Sequence, residues 1–460
     1  MSSLKVTGAL EKLFGILVFL TLLVSPTQWA LQVQKGMFVT LSDLLLCITA
    51  GVGVLKFLAG RVIGNGEAGA SRRASLLNLL PPWPFLLFCG WCVIAMCGAF
   101  SPTGKPMLAV KETIQYVEYF VIGACVFQSY LNSSRAKWGI FALSLGVAVN
   151  VGLAIRQYVN LEIDDTLVRG SYGTAAAFGG ILCLTLPFAA SAFVFAKNWY
   201  SRVCGLFLFL CGIFVMLDGA AYWAVTGILF IFAAISVVTR VPAFARHDEY
   251  RPLNLPAESE ERKAGRNPFL FFVAVACFIV ACQAAVLPNL TRENERAHFT
   301  SLALFDEEYG EVNKRYAEWQ AAYKMGYEHP WVGVGLGQYQ TYIGQFYDAI
   351  PRQTGPSVPD SQNLYLVLFA TAGFPGFFLF LSCLLLPFTP CRGNETGTEL
   401  EFSSITRRVL SYGCAGAVAA FAFASIWHPL LMRGIGLPLV FILVLAYRLQ
   451  PREGITNESE

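Results

Sequence analysis

A run of four polar residues, Asp360, Ser361, Gln362 and Asn363, directly precedes a long apolar stretch late in the sequence. A carboxylate such as that of Asp360 can take a proton from an attacking hydroxyl, and the amides of Gln362 and Asn363 can orient that hydroxyl. Asp and Ser are also common N-cap residues, so Asp360 or Ser361 could instead start the helix that follows. The two interpretations are compatible, and both stay open at this point.

Three arginines, Arg169, Arg315 and Arg433, lie near the ends of apolar segments or in the long polar segment between two of them. A guanidinium group stays charged, and its planar fork binds two oxygens at once, which suits a phosphate. For each arginine alone, simple solvation at a helix end is the alternative. As a set, they indicate a site for an anionic lipid headgroup or a lipid pyrophosphate.

The most distinctive local pattern is HPWVGVGLGQY, residues 329–339, in which Gly333, Gly335 and Gly337 alternate after His329. Glycines at this spacing let the chain turn, or let a ligand approach the backbone closely. The pattern is not a dinucleotide-binding fingerprint, because the third-glycine spacing and the flanking strand and helix are missing. No Gly-Lys-Ser/Thr follows it to make a phosphate-binding loop. Taken alone, such a loop is more often structural.

The composition indicates that membrane helices position these residues. Of the 460 residues, 55% are hydrophobic and 14% are charged, whereas about a quarter are charged in a soluble protein. Apolar runs long enough to cross a bilayer recur along the chain. They predict an all-α polytopic membrane protein with about twelve transmembrane helices, at 12–31, 37–59, 82–100, 107–131, 138–158, 173–196, 203–217, 221–238, 269–287, 363–388, 409–427 and 434–447.

The basic residues predict the orientation of these spans. With the N-terminus inside, most Lys and Arg residues of the short loops fall on the cytoplasmic side, as the positive-inside rule requires. The chain then divides into a bundle of about nine helices at 1–287, which includes a cytoplasmic linker at 239–268, and a large exterior loop at 288–362. About three helices and a cytoplasmic tail follow at 363–460.

The exterior loop contains one helical pattern that ends at Pro330. Apolar residues recur there at helical spacing, at Tyr309, Val312, Tyr316, Trp319 and Tyr323. An amphipathic helix of this kind could lie on the membrane face or roof a cavity.

Three features in this order resemble the C-terminal signature of the O-antigen ligase and Wzy-type polymerase superfamily: Arg315-x3-Trp319, HPWVGVGLGQY and QNLYLVLFATAGFPG. The close match covers residues 313–376, and the remainder is similar in architecture only. These proteins are bacterial inner-membrane glycosyltransferases of the GT-C class. The resemblance therefore implies a GT-C-like fold in the inner membrane, with cytoplasmic termini and one large periplasmic loop.

The resemblance also implies an inverting, metal-independent glycan transfer that needs no cofactor. Such enzymes move a glycan from an undecaprenyl-diphosphate carrier to an acceptor sugar hydroxyl at the periplasmic face. Arginines hold the leaving diphosphate, and a histidine takes the acceptor proton. The implied partners are the lipid-linked glycan, an acceptor glycan or lipid A-core, and the lipid bilayer, with no nucleic acid.

Carried over residue by residue, Arg315 matches the arginine of the loop helix and Arg169 matches a basic residue often found before the sixth span. Asn363, Gly373 and Gly376 match the family pattern His-Asn, nine residues, Gly-x-x-Gly.

Two positions depart from the family pattern. Gln362 stands where the family has its histidine, and LDGAAYW replaces the usual Ser-Arg-Gly between spans seven and eight, with no Lys or Arg between Arg202 and Arg240. A glutamine amide cannot accept a proton, so Asp360 is the nearest candidate for the base. Arginine clamps on the diphosphate could instead supply most of the catalysis.

We therefore predict Asp360, Gln362 and Arg315 as catalytic residues. The predicted substrate-binding residues are Arg169, Asn363, His329, Gly333, Gly335, Gly337 and Arg433. A lipopolysaccharide ligase and an exopolysaccharide polymerase both stay open as functions. The alternative is a catalytically degenerate family member or a transporter that binds or moves a lipid-linked glycan. A transporter predicts inverted repeats and broken helices, and no paired interruptions are evident in the two halves of the sequence.

Overall fold

A computed structural model describes residues 2–27, 30–34, 37–63, 80–100, 104–160, 170–172, 175–217, 310–346, 363–388, 404–426, 430–431 and 434–449. These residues are mostly helical. Five of their helices are long and apolar enough to cross a membrane: Leu41–Ala59, Trp83–Phe100, Ser134–Gln157, Ala177–Phe195 and Leu364–Phe388. They coincide with the predicted spans at 37–59, 82–100, 138–158, 173–196 and 363–388.

The helices follow one another along the chain in the order that hydropathy predicts. They are α1 (Ser2–Val24), α2 (Leu41–Ile63), α3 (Trp83–Met96), α4 (Pro106–Val117), α5 (Ala124–Tyr130), α6 (Ser133–Asn160), α7 (Ala175–Phe195), α8 (Trp199–Leu217), α9 (Gly310–Glu328), α10 (Tyr339–Tyr342), α11 (Leu364–Leu385), α12 (Ser404–Ala424) and α13 (Gly436–Leu449). The predicted spans 221–238 and 269–287 and the linker between them lie outside the described residues.

A two-stranded hairpin lies between α1 and α2, while the described residues are otherwise mostly helical, as the all-α prediction expects. Strands β1 (Ala30–Gln34) and β2 (Met37–Thr40) pair antiparallel, with Ala30 opposite Thr40. The predicted spans 12–31 and 37–59 extended into these strands, because apolar strand residues merge with apolar helices in a hydropathy count. The second helix begins at Leu41 because Thr40 and Asp43 cap it reciprocally. The Asp43 N–H donates to Thr40 Oγ1 (3.2 Å), and the Thr40 N–H donates to Asp43 Oδ2 (3.0 Å).

The predicted span 107–131 is helical but has three parts. A π-helical segment, Glu118–Gly123, separates α4 from α5. The wider π turn brings Tyr119 against α13, where a Cβ on Gly436 would meet the Tyr119 ring. The Tyr119 ring, which lies in this π-helical segment, is buried in the core.

The core of the bundle surrounds α13 and α7. All residues of α13 from Gly436 to Ala446 are buried, as expected for a helix that is apolar on every side. It packs against α12, α5 and the π segment, and α7 packs against α12 and α8. A second, smaller core lies beside α11, where α9, the glycine loop and α10 bury Ala321, Ala322, Met325 and Val334. This smaller core positions the candidate site.

Candidate functional site

The transmembrane helix α11 is broken at Gly373. This residue has φ 69° and ψ −176°, and Pro375 follows two residues later. Pro375 has no N–H to donate to the Thr371 carbonyl, and its ring crowds that carbonyl. The helix therefore cannot close its own hydrogen bonds across residues 370–372, and these carbonyls need other donors.

The glycine loop supplies two of those donors. The Val334 N–H donates to the Ala370 carbonyl (2.9 Å), and the Gly335 N–H donates to the Thr371 carbonyl (3.1 Å). The Trp91 Nε1–H of α3 donates to the third carbonyl, at Ala372 (2.8 Å). The Phe374 N–H, freed on the other side of the break, donates to the Pro330 carbonyl (2.8 Å). The break and the loop thus form one complementary unit.

Two of the glycines are required because the backbones touch. At Gly373, a Cβ would overlap the Trp331 carbonyl and would lie 2.7 Å from the Pro330 oxygen. At Gly335, which has φ 101°, a Cβ would lie 2.5 Å from the Ala99 nitrogen of the turn after α3. The loop therefore lies closely between α3 and α11, which leaves no space for a ligand against its backbone at these two points. Close packing of backbones is thus one reason for glycine at Gly335, and the substrate-binding role of the glycine pattern stays a prediction.

The other end of the loop is held by the first turns of α4. The side chain of Gln338 is fully buried and pairs with the backbone of Lys105 in both directions, at 2.7 Å for each bond. The carboxyl group of Glu112 accepts the Gly337 N–H and the Tyr116 hydroxyl, the latter at 2.9 Å. An ionisable group at this depth in a helix bundle is costly unless it is hydrogen-bonded. Glu112 meets that condition by fixing the loop.

A second polar cluster holds the turn that follows Arg169. Gln157 of α6 pairs with the backbone of Gly170 in both directions, at 2.7 and 2.9 Å. Asn150 Oδ1 accepts hydrogen bonds from the Ser171 N–H (3.2 Å) and hydroxyl (2.5 Å). The next residue, Tyr172, is buried. Burial raises the pKa of its phenol well above the usual value, so the hydroxyl keeps its proton.

The hydroxyl group of Tyr172 connects this turn to the start of α13 through a hydrogen bond. It donates to the Gly434 carbonyl (3.4 Å). Gly170 directly follows Arg169 in the sequence, and Gly434 directly follows Arg433. The structure therefore brings the neighbours of two predicted substrate-binding arginines to the same end of the bundle.

The polar run before α11 ends in a helix cap. Asn363 is the N-cap, and its Oδ1 accepts the N–H groups of Tyr365 (3.0 Å) and Leu366 (3.1 Å). The cap is thus Asn363, and not Asp360 or Ser361 as the capping interpretation predicted. The Leu364 N–H donates to the Ser425 carbonyl (2.9 Å) at the end of α12, so the start of α11 lies beside the turn that leads to Arg433.

Some of the predicted site residues lie in described segments of the structure, and others do not. Gly333, Gly335 and Gly337 lie in the loop between α3, α4 and α11, and Asn363 lies at the cap. His329 is exposed at the end of α9. The backbone of Arg315 lies in α9. Four further residues lie outside the described residues: Asp360, Gln362, Arg169 and Arg433. The roles predicted for all of these side chains stay predictions.

Several residues that shape this region were not singled out from the sequence. Gln338, Trp91 and Gln157 each bond to a backbone group that is remote in sequence, and no local pattern marks them. The Ser425 hydroxyl is buried beside the start of α11 and has no hydrogen-bond partner among the described residues. Within the same part of the chain, no group of three or more His, Cys, Asp or Glu side chains could hold a metal ion.

The broken helix bears on the transporter alternative. Discontinuous helices in transporters expose backbone carbonyls to a substrate or an ion. In α11, the freed carbonyls at 370–372 are instead bonded to the chain's own loop and to Trp91. This break therefore gives no support to an ion or substrate site of the transporter kind.

Comparison with known families gives one match. Residues 204–381 match the family model described as O-Antigen ligase. The matched stretch begins in α8 and ends in α11, so it contains the glycine loop and the helix break. No curated protein matches the chain. The resemblance to the O-antigen ligase and polymerase superfamily is thereby confirmed, and together with the apolar helices it indicates a multi-pass membrane protein.

Proposed function

We propose that the chain is a glycosyltransferase that moves a glycan from a polyprenyl-diphosphate carrier to an acceptor sugar hydroxyl at the periplasmic face of the bacterial inner membrane. The acceptor oxygen attacks the anomeric carbon while the bond from that carbon to the diphosphate breaks. The bonding electrons leave with the diphosphate, and the configuration at the anomeric carbon inverts. The step needs no metal and no cofactor.

The observation that carries the proposal is the convergence, at one end of the bundle, of segments that adjoin predicted site residues. The turn after Arg169 bonds to the residue after Arg433, through Tyr172 and Gly434. The start of α11, directly after Asn363, bonds to the end of α12, through Leu364 and Ser425. Segments that are far apart in the sequence thus share one end of the bundle.

This arrangement supports a division of roles. In the proposal, Arg169, Arg315 and Arg433 bind the diphosphate and offset the charge that builds up as it leaves. Asp360 takes the acceptor proton, and Gln362 orients the acceptor hydroxyl through its amide. A diphosphate is a good leaving group, so the arginines carry most of the rate enhancement.

Glycan transfer by the full-length chain in liposomes tests the proposal. The donor is a polyprenyl-diphosphate-linked glycan, and the acceptor is either lipid A-core or a second donor molecule. Arg315→Ala and Arg169→Ala are each expected to lower the transfer rate by roughly 10²–10³-fold, the usual effect of removing one such electrostatic contact. Arg407→Ala is the matched control, because Arg407 lies in the first turn of α12, at the end of that helix remote from Ser425.

The outcomes separate the alternatives. Product formed only with lipid A-core identifies a ligase, and product formed from two donor molecules identifies a polymerase. If the unaltered chain transfers nothing and Gln362→His transfers glycan, the chain is a degenerate family member and the proposal is wrong. Equal losses in Arg407→Ala and Arg315→Ala would also contradict the assigned role of Arg315.

A further inference from the structure

Helix α9 presents an exposed face that does not have the composition of a water-facing helix. Its buried edge contains Ala321, Ala322 and Met325, which pack toward α11. Of the stripe predicted from the sequence to be apolar, Trp319 is partly buried and Tyr323 is exposed. Tyr323 and the following Tyr327 therefore present aromatic surface that the protein core does not cover.

The exposed aromatic residues continue from α9 onto α11. Tyr327 stacks with Tyr323 (ring centroids 6.2 Å apart), and Tyr323 lies 6.2 Å from Phe369. Phe369 lies 4.5 Å from Phe374, and Phe374 lies 6.3 Å from Phe378. We call these five residues the aromatic ladder. It runs from the loop helix to the middle of a transmembrane helix, and its central member, Phe369, is buried (6% exposed) where the two helices meet.

Most of the ladder is accessible from outside. The exposed fractions are 67% for Tyr327, 55% for Tyr323, 43% for Phe374 and 57% for Phe378, and neighbouring Trp331 is 73% exposed. Phe374 and Phe378 lie on a helix that is long and apolar enough to span the membrane, where exposed aromatic side chains are suited to contact with lipid. The tyrosines and Trp331 extend this lipid-facing surface toward one end of the span. Tyr and Trp are the side chains that prefer the membrane–water boundary.

The polar residues of α9 lie on an adjoining edge. Lys324 and Glu328 are four residues apart, so they share one side of the helix, and both are exposed. Tyr323 and Tyr327 repeat at the same spacing, one residue before Lys324 and Glu328, and therefore lie on the neighbouring side. The helix thus has a protein-facing edge, an aromatic edge and a polar edge.

We propose that α9 lies in the membrane boundary, with the aromatic edge inserted at the junction of lipid headgroups and acyl chains and the polar edge in water. The occupant of this surface is the phospholipid bilayer itself. The continuity of the ladder with the lipid-facing side of α11 favours lipid over a protein partner, and the polar edge limits the depth of insertion.

This placement has a consequence for the site. Helix α9 ends at Glu328, directly before the glycine loop, and the loop bonds to α11 at Ala370 and Thr371. Anchoring α9 in the boundary therefore fixes the height of the loop relative to the membrane surface. The inference does not depend on the proposed glycan transfer and can be tested without any glycan.

Photo-crosslinking in lipid nanodiscs tests the placement. The full-length chain carries the photoreactive amino acid p-benzoylphenylalanine at one position, and the nanodiscs contain phosphatidylethanolamine and phosphatidylglycerol. Position 327 is expected to give phospholipid adducts at several times the yield of position 328, which is the matched control on the polar edge of the same helix. Equal yields at the two positions would overturn the proposal. Crosslinks from position 327 to peptides of the same chain would also overturn it, because they would show that protein covers this edge.

Hydroxyl-radical footprinting gives a second readout that does not need the bulky photoreactive group. In the same nanodiscs, Tyr327 is expected to be oxidised several-fold more slowly than the tyrosine introduced by Glu328→Tyr, because lipid excludes the water from which the radicals form. The comparison is between two tyrosines on one helix, so intrinsic reactivity cancels. Oxidation of Tyr327 at the rate of the introduced tyrosine would contradict insertion.

Discussion

Replacement of Gly373 by alanine tests the central structural claim, that the glycine loop and the break in α11 are one unit. The backbone of Gly373, at φ 69° and ψ −176°, lies in a region that only glycine adopts without strain. A Cβ there would also overlap the Trp331 carbonyl. Gly373→Ala is therefore expected to push the loop away from α11, with loss of the hydrogen bonds that Val334 and Gly335 donate.

The size of the effect follows from these contacts. The backbone strain costs an alanine about 2 kcal/mol, and the two lost hydrogen bonds contribute about 1 kcal/mol each. Alanine restricts the unfolded chain more than glycine does, which returns about 0.5–1 kcal/mol. The contact between the loop and α11 thus loses about 3 kcal/mol of stability. Opening of the loop therefore becomes more favourable by a factor on the order of 100.

Buried cysteines provide the assay. Cys92 and Cys383 lie buried between α3 and α11, and Cys183 lies buried in α7. In Gly373→Ala, a thiol-reactive probe read by mass spectrometry is expected to label Cys92 and Cys383 much faster than in the unaltered chain, with Cys183 unchanged. Gly344→Ala is the control, because a Cβ there meets nothing within 4 Å. Labelling of Cys383 at the unaltered rate, or equal acceleration at Cys183, would refute the reasoning.

Three further substitutions test contacts around the loop and the outer turn. Gln338→Ala removes both bonds to the Lys105 backbone and is expected to cost about 1–3 kcal/mol, seen as a lower thermal unfolding temperature, whereas Gln345→Ala on the exposed side of the next turn is expected to change nothing. Trp91→Phe keeps an aromatic ring but leaves a carbonyl of the broken helix without its donor, at a cost of about 1–3 kcal/mol in the same scan. Asn150→Ala releases the turn it holds and is expected to raise the KM for the lipid-linked donor more than it lowers kcat, as checked by steady-state transfer kinetics.

Hydropathy was sufficient for much of the helical architecture, because a bilayer demands long apolar segments whatever their packing. The errors came where local rules compete with hydropathy. Residues 30–31 and 37–40 are apolar enough to be counted with the adjoining spans, but the capping pair Thr40 and Asp43 begins the second helix only at Leu41. A capping box is readable from the sequence, and it was the signal that could have separated hairpin from helix.

The candidate site was harder to predict, because its contacts join residues that are distant in the sequence. Pro375 two residues after Gly373 marks an interruption of the helix, but it does not say what bonds to the freed carbonyls. The Trp91 bond to Ala372 spans 281 residues, and the Gln338 bond to Lys105 spans 233. No periodicity or local motif encodes such pairs. The glycine pattern indicated close approach, and the structure identifies backbone of α3 and α11 as groups that approach it.

The position of the break gives a structural meaning to the spacing between Asn363, at the end of the polar run, and Gly373. The half-helix from Leu364 to Ala372 is anchored at one end by the Leu364 bond to Ser425 and at the other by the bonds from the glycine loop. Ten residues separate Asn363 from Gly373, which is about 15 Å along a helix. An unbroken helix would use its carbonyls at 370–372 for its own bonds, and the loop would have no place to dock. The spacing therefore sets the distance between the helix cap and the loop.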